Sequence, residues 1–248
     1  MSMDNDKEIK ASELPASINN SNVVIALHST TVSQDLNQCP QSAQSSPVIH
    51  HYFTHEAIGV SRLLRQAKKY IVLHAAFYPK YAGGEQGDDI RKVMEENQDL
   101  QLKVIFTDLN TPWINEFAVL LREKFADIKK FEKEINNDKE KFVELQMSPE
   151  IERDRVEICD SARLPLFPVI LIDDTLIVGH YAHSREIAPN GLWLTIQHPR
   201  ILEMYESLSK GNRPKCNTPE ERAILRYVEE LVLPNSAPIR FGSSQNAK

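Results

Sequence analysis

"PLFPVILIDDTLIVGHYAHS", residues Pro165 to Ser184, decides how the chain is read. Two apolar runs flank Asp173-Asp174-Thr175, and short acidic turn formers between apolar runs spell a β-hairpin. Gly179, His180 and His183 follow, so polar side chains gather where the second strand ends.

Working outward, strands and helices alternate. Toward the N-terminus lie "RVEICDS", "LQLKVIFTDLN" and "YIVLHAAFYP", each β-branched or aromatic and closed by Asp or Pro. Between and before them, "DIRKVMEENQD" carries Ile90, Val93 and Met94 on one face. "WINEFAVLLREKF" packs through Ile114, Phe117, Leu120 and Leu121. "THEAIGVSRLLRQAKK" has Thr54 as N-cap, with Ala57 three residues on. The glycine-rich "AGGEQGDD" reads as a flexible loop. Toward the C-terminus, "GLWLTIQ" is a strand and "PRILEMYESLS" a helix with Pro199 in its first turn. "TPEERAILRYVEELV" opens with Thr218, Pro219 and Glu221 in a capping-box pattern. The expected fold class is α/β, with a mixed, largely parallel sheet flanked by helices.

The segment 1–48 is rich in Ser, Asn and Gln and reads as disordered and low in complexity, with one short strand expected over Asn22–Val32. The folded α/β domain is expected over 49–210, including a charged helical arm near 126–147. That arm suits a solvated face with one packed edge, or a dimerisation surface. Residues 211–248 read as a tail with one helix near 219–232.

Composition narrows the function classes. The chain of 248 residues carries a net charge of −6, so bulk affinity for nucleic acid is not supported, although a local basic cleft would allow it. Three cysteines, Cys39, Cys159 and Cys216, form no CxxC pair and read as free thiols of a reducing cytoplasm. "MSMDNDKEIKASELP" lacks the apolar stretch of a secretory signal, and no apolar run approaches membrane-spanning length. The expectation is therefore a cytoplasmic protein without a membrane segment. No motif calls for a cofactor, and the cysteine spacings suit no zinc site; His180 and His183 would share a metal ion only if the chain bends after Gly179.

The element order and marker residues resemble one repeat of the phospholipase D-like family over residues 53 to 208. The resemblance rests on "IVLHAAFYP", "LKVIFTD", "VEICDS" and the opening segment. In that family the last reads His-x-Lys, four residues, Asp, then a strand ending in Gly-Ser and a nearby Asn. Here Asp173 falls on the family's Asp and Gly179 on its Gly, with the hairpin one residue shorter. Ser184, Ala188 and Asn190-Gly191-Leu192 follow in the family's order. The nucleophilic histidine, however, falls on Leu166, the phosphate-binding lysine on Pro168, the Gly-Ser serine on His180 and a carboxylate on Leu192. Neither nucleophilic nor general-acid catalysis survives those exchanges. The resemblance thus implies a degenerate motif in a domain that binds a protein or a phosphate-bearing ligand, as a homodimer, because one repeat makes half a cleft.

Other residues offer a replacement site. Ligands collect beyond the carboxyl ends of parallel strands. That edge is expected to gather Tyr78, Asp108, Asn110, Cys159, Asp160, His180, Tyr181, His183, Ser184 and Asn190. A phosphodiesterase or nuclease rebuilt on His180, His183 and Asp108 is the alternative to a binding domain. Asp173 and Asp174 read as turn formers and Cys159 as an inert thiol. His74 reads as a hydrogen-bonded core residue, Trp193 as core, and Trp113 as early-helix packing. His50, His51 and His55 read as surface residues.

Overall fold

The apolar runs assemble into one seven-stranded sheet in the order β1-β7-β6-β5-β2-β3-β4. Its strands are β1 (Val48–Tyr52), β2 (Tyr70–His74), β3 (Gln101–Thr107), β4 (Val156–Ser161), β5 (Val169–Ile172), β6 (Thr175–Gly179) and β7 (Trp193–Gln197). This computed structural model describes residues 46–76, 78–121, 127–165, 167–180 and 191–232. The low-complexity segment therefore lies almost wholly outside the described residues, as do the strand expected over Asn22–Val32 and Cys39.

The mixed α/β sheet is as expected, and its pairing refines the picture. β2, β3 and β4 pair in parallel, whereas β5, β6, β7 and β1 add on as antiparallel neighbours. By direction, β1, β2, β3, β4 and β6 run one way and β5 and β7 the other. Parallel pairing stays confined to one block because the Asp173-Asp174 turn is too short for a crossover and folds β6 straight back on β5.

Among the described residues, seven helices cover the two faces. α1 (Val60–Arg65), α2 (Pro79–Gly83), α3 (Glu85–Glu96), α4 (Ile114–Leu121) and α5 (Ile128–Gln146) lie on one side. α6 (Ile201–Ser209) and α7 (Pro219–Val232) lie on the other. Alternation along the strands feeds both cores: Ile170, Ile172 and Ile177 enter the first, and Val169, Leu171, Leu176 and Val178 the second. That double burial explains why β5 reads as an unbroken apolar run.

Several local expectations change. The helix expected from Thr54 is interrupted at Gly59, whose φ of 69° places it in the left-handed region that glycine tolerates. Thr54 Oγ1 still accepts from Ala57 N–H at 3.3 Å, but the element there is a short 3-10 turn, Glu56–Ile58, with His55 at its N-cap position. The "AGGEQGDD" loop is instead the end of α2 and the start of α3. Its glycines are there for closeness: a Cβ on Gly87 would sit 2.9 Å from the Tyr81 carbonyl oxygen. Pro199 stands ahead of the Arg200 N-cap and not in the first turn of α6. The charged segment near 126–147 forms α5, which buries Phe131, Ile135, Phe142 and Leu145 together with one carboxylate, Asp138, while most of its other charged residues face outward. Thr218 caps α7 through Glu221 N–H at 3.1 Å, and the Glu221 carboxylate reaches back to Asn217 N–H at 2.6 Å.

One buried cation locks the lower end of the parallel block. Arg155 donates to the carbonyls of Leu100, Met94 and Asn97 and to Gln98 Oε1, so it closes the end of α3 onto the start of β4.

Candidate functional site

The carboxyl ends of β2, β3, β4 and β6 share one edge of the sheet, where a ligand site is expected. Tyr78 lies there but points inward. Its hydroxyl accepts from Ala75 N–H at 2.5 Å and lies 2.5 Å from the Ile105 carbonyl oxygen and 3.2 Å from that of Leu73. Its ring packs edge-on against Phe106, and its own N–H donates to Asp138 Oδ2 at 2.7 Å. Burial raises the Asp138 carboxyl above its ordinary range. Tyr78 is thus a strut between β2, β3 and α5.

Asp108 follows β3 and serves its own loop. Its Oδ1 accepts from Asn110 N–H at 2.9 Å and from the Asn110 amide at 3.1 Å, an Asx-type turn. Asp160 is clamped by Lys139 of α5, 2.8 Å from both carboxylate oxygens. Cys159 is buried on the opposite face, and burial pushes its thiol up to about 12, where it is no nucleophile at neutral pH. His180 stands exposed directly after β6. Asp108 and His180 extend strands separated by β2 and β5, which is three inter-strand spacings or about 14 Å between strand axes. Tyr181, His183, Ser184 and Asn190 lie outside the described residues, as does Leu166.

The position next to Gly179 is filled by carbon. A Cβ there would lie 2.7 Å from Trp193 Cη2 and Cζ3 and 2.8 Å from Pro168 Cγ, so only glycine admits both rings. Trp193 is core, as expected. Trp113 is partly buried, with its indole N–H on the Ala162 carbonyl at 3.2 Å. Gly179→Ala is expected to lower stability by about 1–2 kcal/mol through overpacking. A urea midpoint combined with a shift in tryptophan emission checks this; an unchanged midpoint and spectrum would contradict it.

His55 is the residue that sequence reasoning placed wrongly. It is buried, with Nε2 2.7 Å from the Tyr81 hydroxyl and its ring 4.8 Å from that of Trp193. Burial, helped by the nearby Lys80 cation and opposed by Glu56, lowers its pKa to about 4, so it is neutral at pH 7. Among the described residues His55 Nδ1 finds no hydrogen-bond partner. Its one sequence signal is Tyr81, which lies too far along the chain to suggest the pairing.

No family model matches this chain, and no curated protein matches it. Its likenesses are structural. Phosphatidylserine synthase of Haemophilus influenzae Rd KW20 shares 18% identity over 82% of this chain and 48% of that one, with a TM-score of 0.42. TrmBL2, an archaeal chromatin protein described as showing a novel mode of DNA binding, shares 10% identity over 67% of this chain and 52% of that one, with a TM-score of 0.36. The chain spans about half the length of each. Likeness at this level says nothing of activity.

Two grooves lie away from the carboxyl edge. One of about 240 Å³ runs between α2, α3 and α5, beside Gly83, Arg91 and Lys141. The other, of about 290 Å³, lies over the amino ends of β2 and β3 beside Tyr70, Lys103 and Tyr205. Among the described residues no cluster of His, Cys, Asp or Glu is grouped to hold a metal ion, and no helix is long and apolar enough to cross a membrane.

Proposed function

We propose that the chain is a degenerate phospholipase D-like repeat that no longer transfers phosphoryl groups and works as a homodimer by binding a protein or a phosphate-bearing ligand. The observation that carries this reading is the packing at Gly179. By the resemblance Pro168 falls on the family's phosphate-binding lysine, and its ring lies against the backbone of Gly179, with the Trp193 ring beside it. A proline ring neutralises no phosphate oxygen, and the site it fills is closed by an indole. Asp173, which falls on the family's Asp, serves the architecture. It accepts from the backbone N–H groups of Lys68, Lys69 and Tyr70 at 2.8, 2.8 and 3.1 Å. On this reading the frame persists without its reagents. The separation of Asp108 from His180 argues against the rebuilt phosphodiesterase.

The test is hydrolysis of bis-p-nitrophenyl phosphate and of single-stranded DNA by the purified full chain. The expected rate equals the buffer blank and does not change in His180→Ala. Turnover that disappears in His180→Ala would overturn the binding reading in favour of the rebuilt enzyme.

A further inference from the structure

We infer that residues 233–248 strap back onto the groove over the amino ends of β2 and β3, with proline and phenylalanine side chains lying on Tyr70 and Tyr205. The inference stands apart from the homodimer reading. Lys103 and Glu157 are part of the groove's lining. They stand two residues before Ile105 and Cys159 and share their face of the sheet, the one under α6 and α7. They pair with each other at 3.1 Å, and Glu206 on the α6 side lies 3.9 Å from Lys69. With Lys210 on the same rim, the groove's charges nearly cancel. What it offers a ligand is aromatic carbon. The Tyr70 and Tyr205 rings meet edge-on with centroids 5.2 Å apart, and Tyr70 is only half-buried.

The occupant follows from where the chain goes next. Val232, the last described residue of α7, is itself part of the groove wall, so the segment that follows needs no linker to reach it. Pro234 disfavours a further helical turn at Leu233 and so takes the chain off the α7 axis beside the groove. "LPNSAPIRF", residues 233–241, brings Pro234, Pro238, Ile239 and Phe241. Proline rings suit aromatic-lined grooves because they are apolar and already ordered. The groove, of about 290 Å³, admits a few side chains of an extended segment and no folded partner.

Tethering and charge favour this segment over a separate peptide of the same kind. A segment that starts at the groove wall is present there at an effective concentration in the millimolar range. Residues 233–248 contain Arg240 and Lys248 and no Asp or Glu, in a chain of net charge −6, so the rest of the molecule attracts them.

The experiment is amide exchange on the full chain, read over residues 235–241, with a labelled peptide of residues 233–242 added in trans. In the wild type these amides are expected to exchange at least tenfold more slowly than in the free peptide. Ser209→Trp, at an exposed position of the groove rim, fills the groove and is expected to restore the free-peptide rate. Phe241→Ser is expected to do the same from the strap. It should also let the peptide bind at least tenfold more tightly than it binds the wild type, by fluorescence anisotropy. Circular dichroism checks that both variants keep the fold. Wild-type amides at the free-peptide rate would overturn the strap. Protection that persists in Ser209→Trp would place the segment elsewhere and overturn it as well. Equal peptide affinity for the wild type and Phe241→Ser would make the groove a site for a separate partner, which also overturns it.

Discussion

Asp173→Ala is expected to lower the stability of the domain by about 3 kcal/mol, although the side chain touches no candidate ligand. Its two carboxylate oxygens accept from three consecutive backbone N–H groups, Lys68, Lys69 and Tyr70, and so fix where β2 begins. Partial access of water to this loop holds each of the three hydrogen bonds to about 0.5–1 kcal/mol net, roughly 2 kcal/mol in all. The backbone adds a second cost. Asp173 has a φ of 51°, a left-handed conformation that Asp tolerates and alanine resists. Asp173→Gly separates the two effects, because glycine accepts the backbone angle and still removes the carboxylate. Urea midpoints are expected to fall in the order wild type, Asp173→Asn, Asp173→Gly, Asp173→Ala. A midpoint for Asp173→Ala within error of wild type would mean that the three N–H groups find equal partners in water.

That clamp marks how far the fold could be read from the chain alone. The hairpin was legible because two apolar runs flank a turn with the right residues, and β2, β3 and β4 because β-branched runs end at Asp or Pro. What the clamp joins was not legible: Lys68 and Asp173 lie more than a hundred positions apart, and no local pattern encodes a contact of that range. β1 escaped notice for a related reason. VIHHY has only two aliphatic residues, and it forms a strand because β7 offers an edge to pair with. The three glycines of "AGGEQGDD" argue for a loop, whereas Gly83 ends α2, Gly84 alone joins the two helices, and Gly87 lies inside α3, where it backs onto Tyr81. At the candidate site, sequence placed Tyr78 and Asp108 at the correct edge, since strand ends follow from periodicity. It did not reveal that their polar atoms are occupied, because a tyrosine hydroxyl on a main-chain carbonyl and an Asx turn leave no mark on composition.

The domain is expected to lose stability steeply as the pH falls from about 6.5 toward 4, through His55 and His74. Both are buried, and burial is the larger cause that lowers each pKa to about 4. For His74 the Glu230 main-chain carbonyl works in the opposite direction and the Arg163 cation in the same direction as burial. In the unfolded chain an ordinary histidine titrates near about 6.5. Between those values the unfolded state binds protons that the folded state refuses, so stability rises with pH there and is fully present above about 6.5. One pH unit changes the balance by about 1.4 kcal/mol per histidine, and each residue commands on the order of 3 kcal/mol across the window. The carboxylates held low by partners, such as Glu203 beside Arg200, lose their contribution only below the ordinary carboxylate range. Above pH 5 the slope therefore belongs to the histidines. His55→Gln and His74→Gln each replace the imidazole with an amide that does not titrate, and each is expected to remove about half of that slope. The double variant is expected to be flat from pH 7 to 5, whatever its stability at neutral pH. Urea midpoints taken every half unit give the answer: a wild-type protein equally stable at pH 7 and pH 5 would show that one or both imidazoles take up a proton without unfolding the chain, and that the environment around Tyr81, Trp193 and Glu230 opens to water.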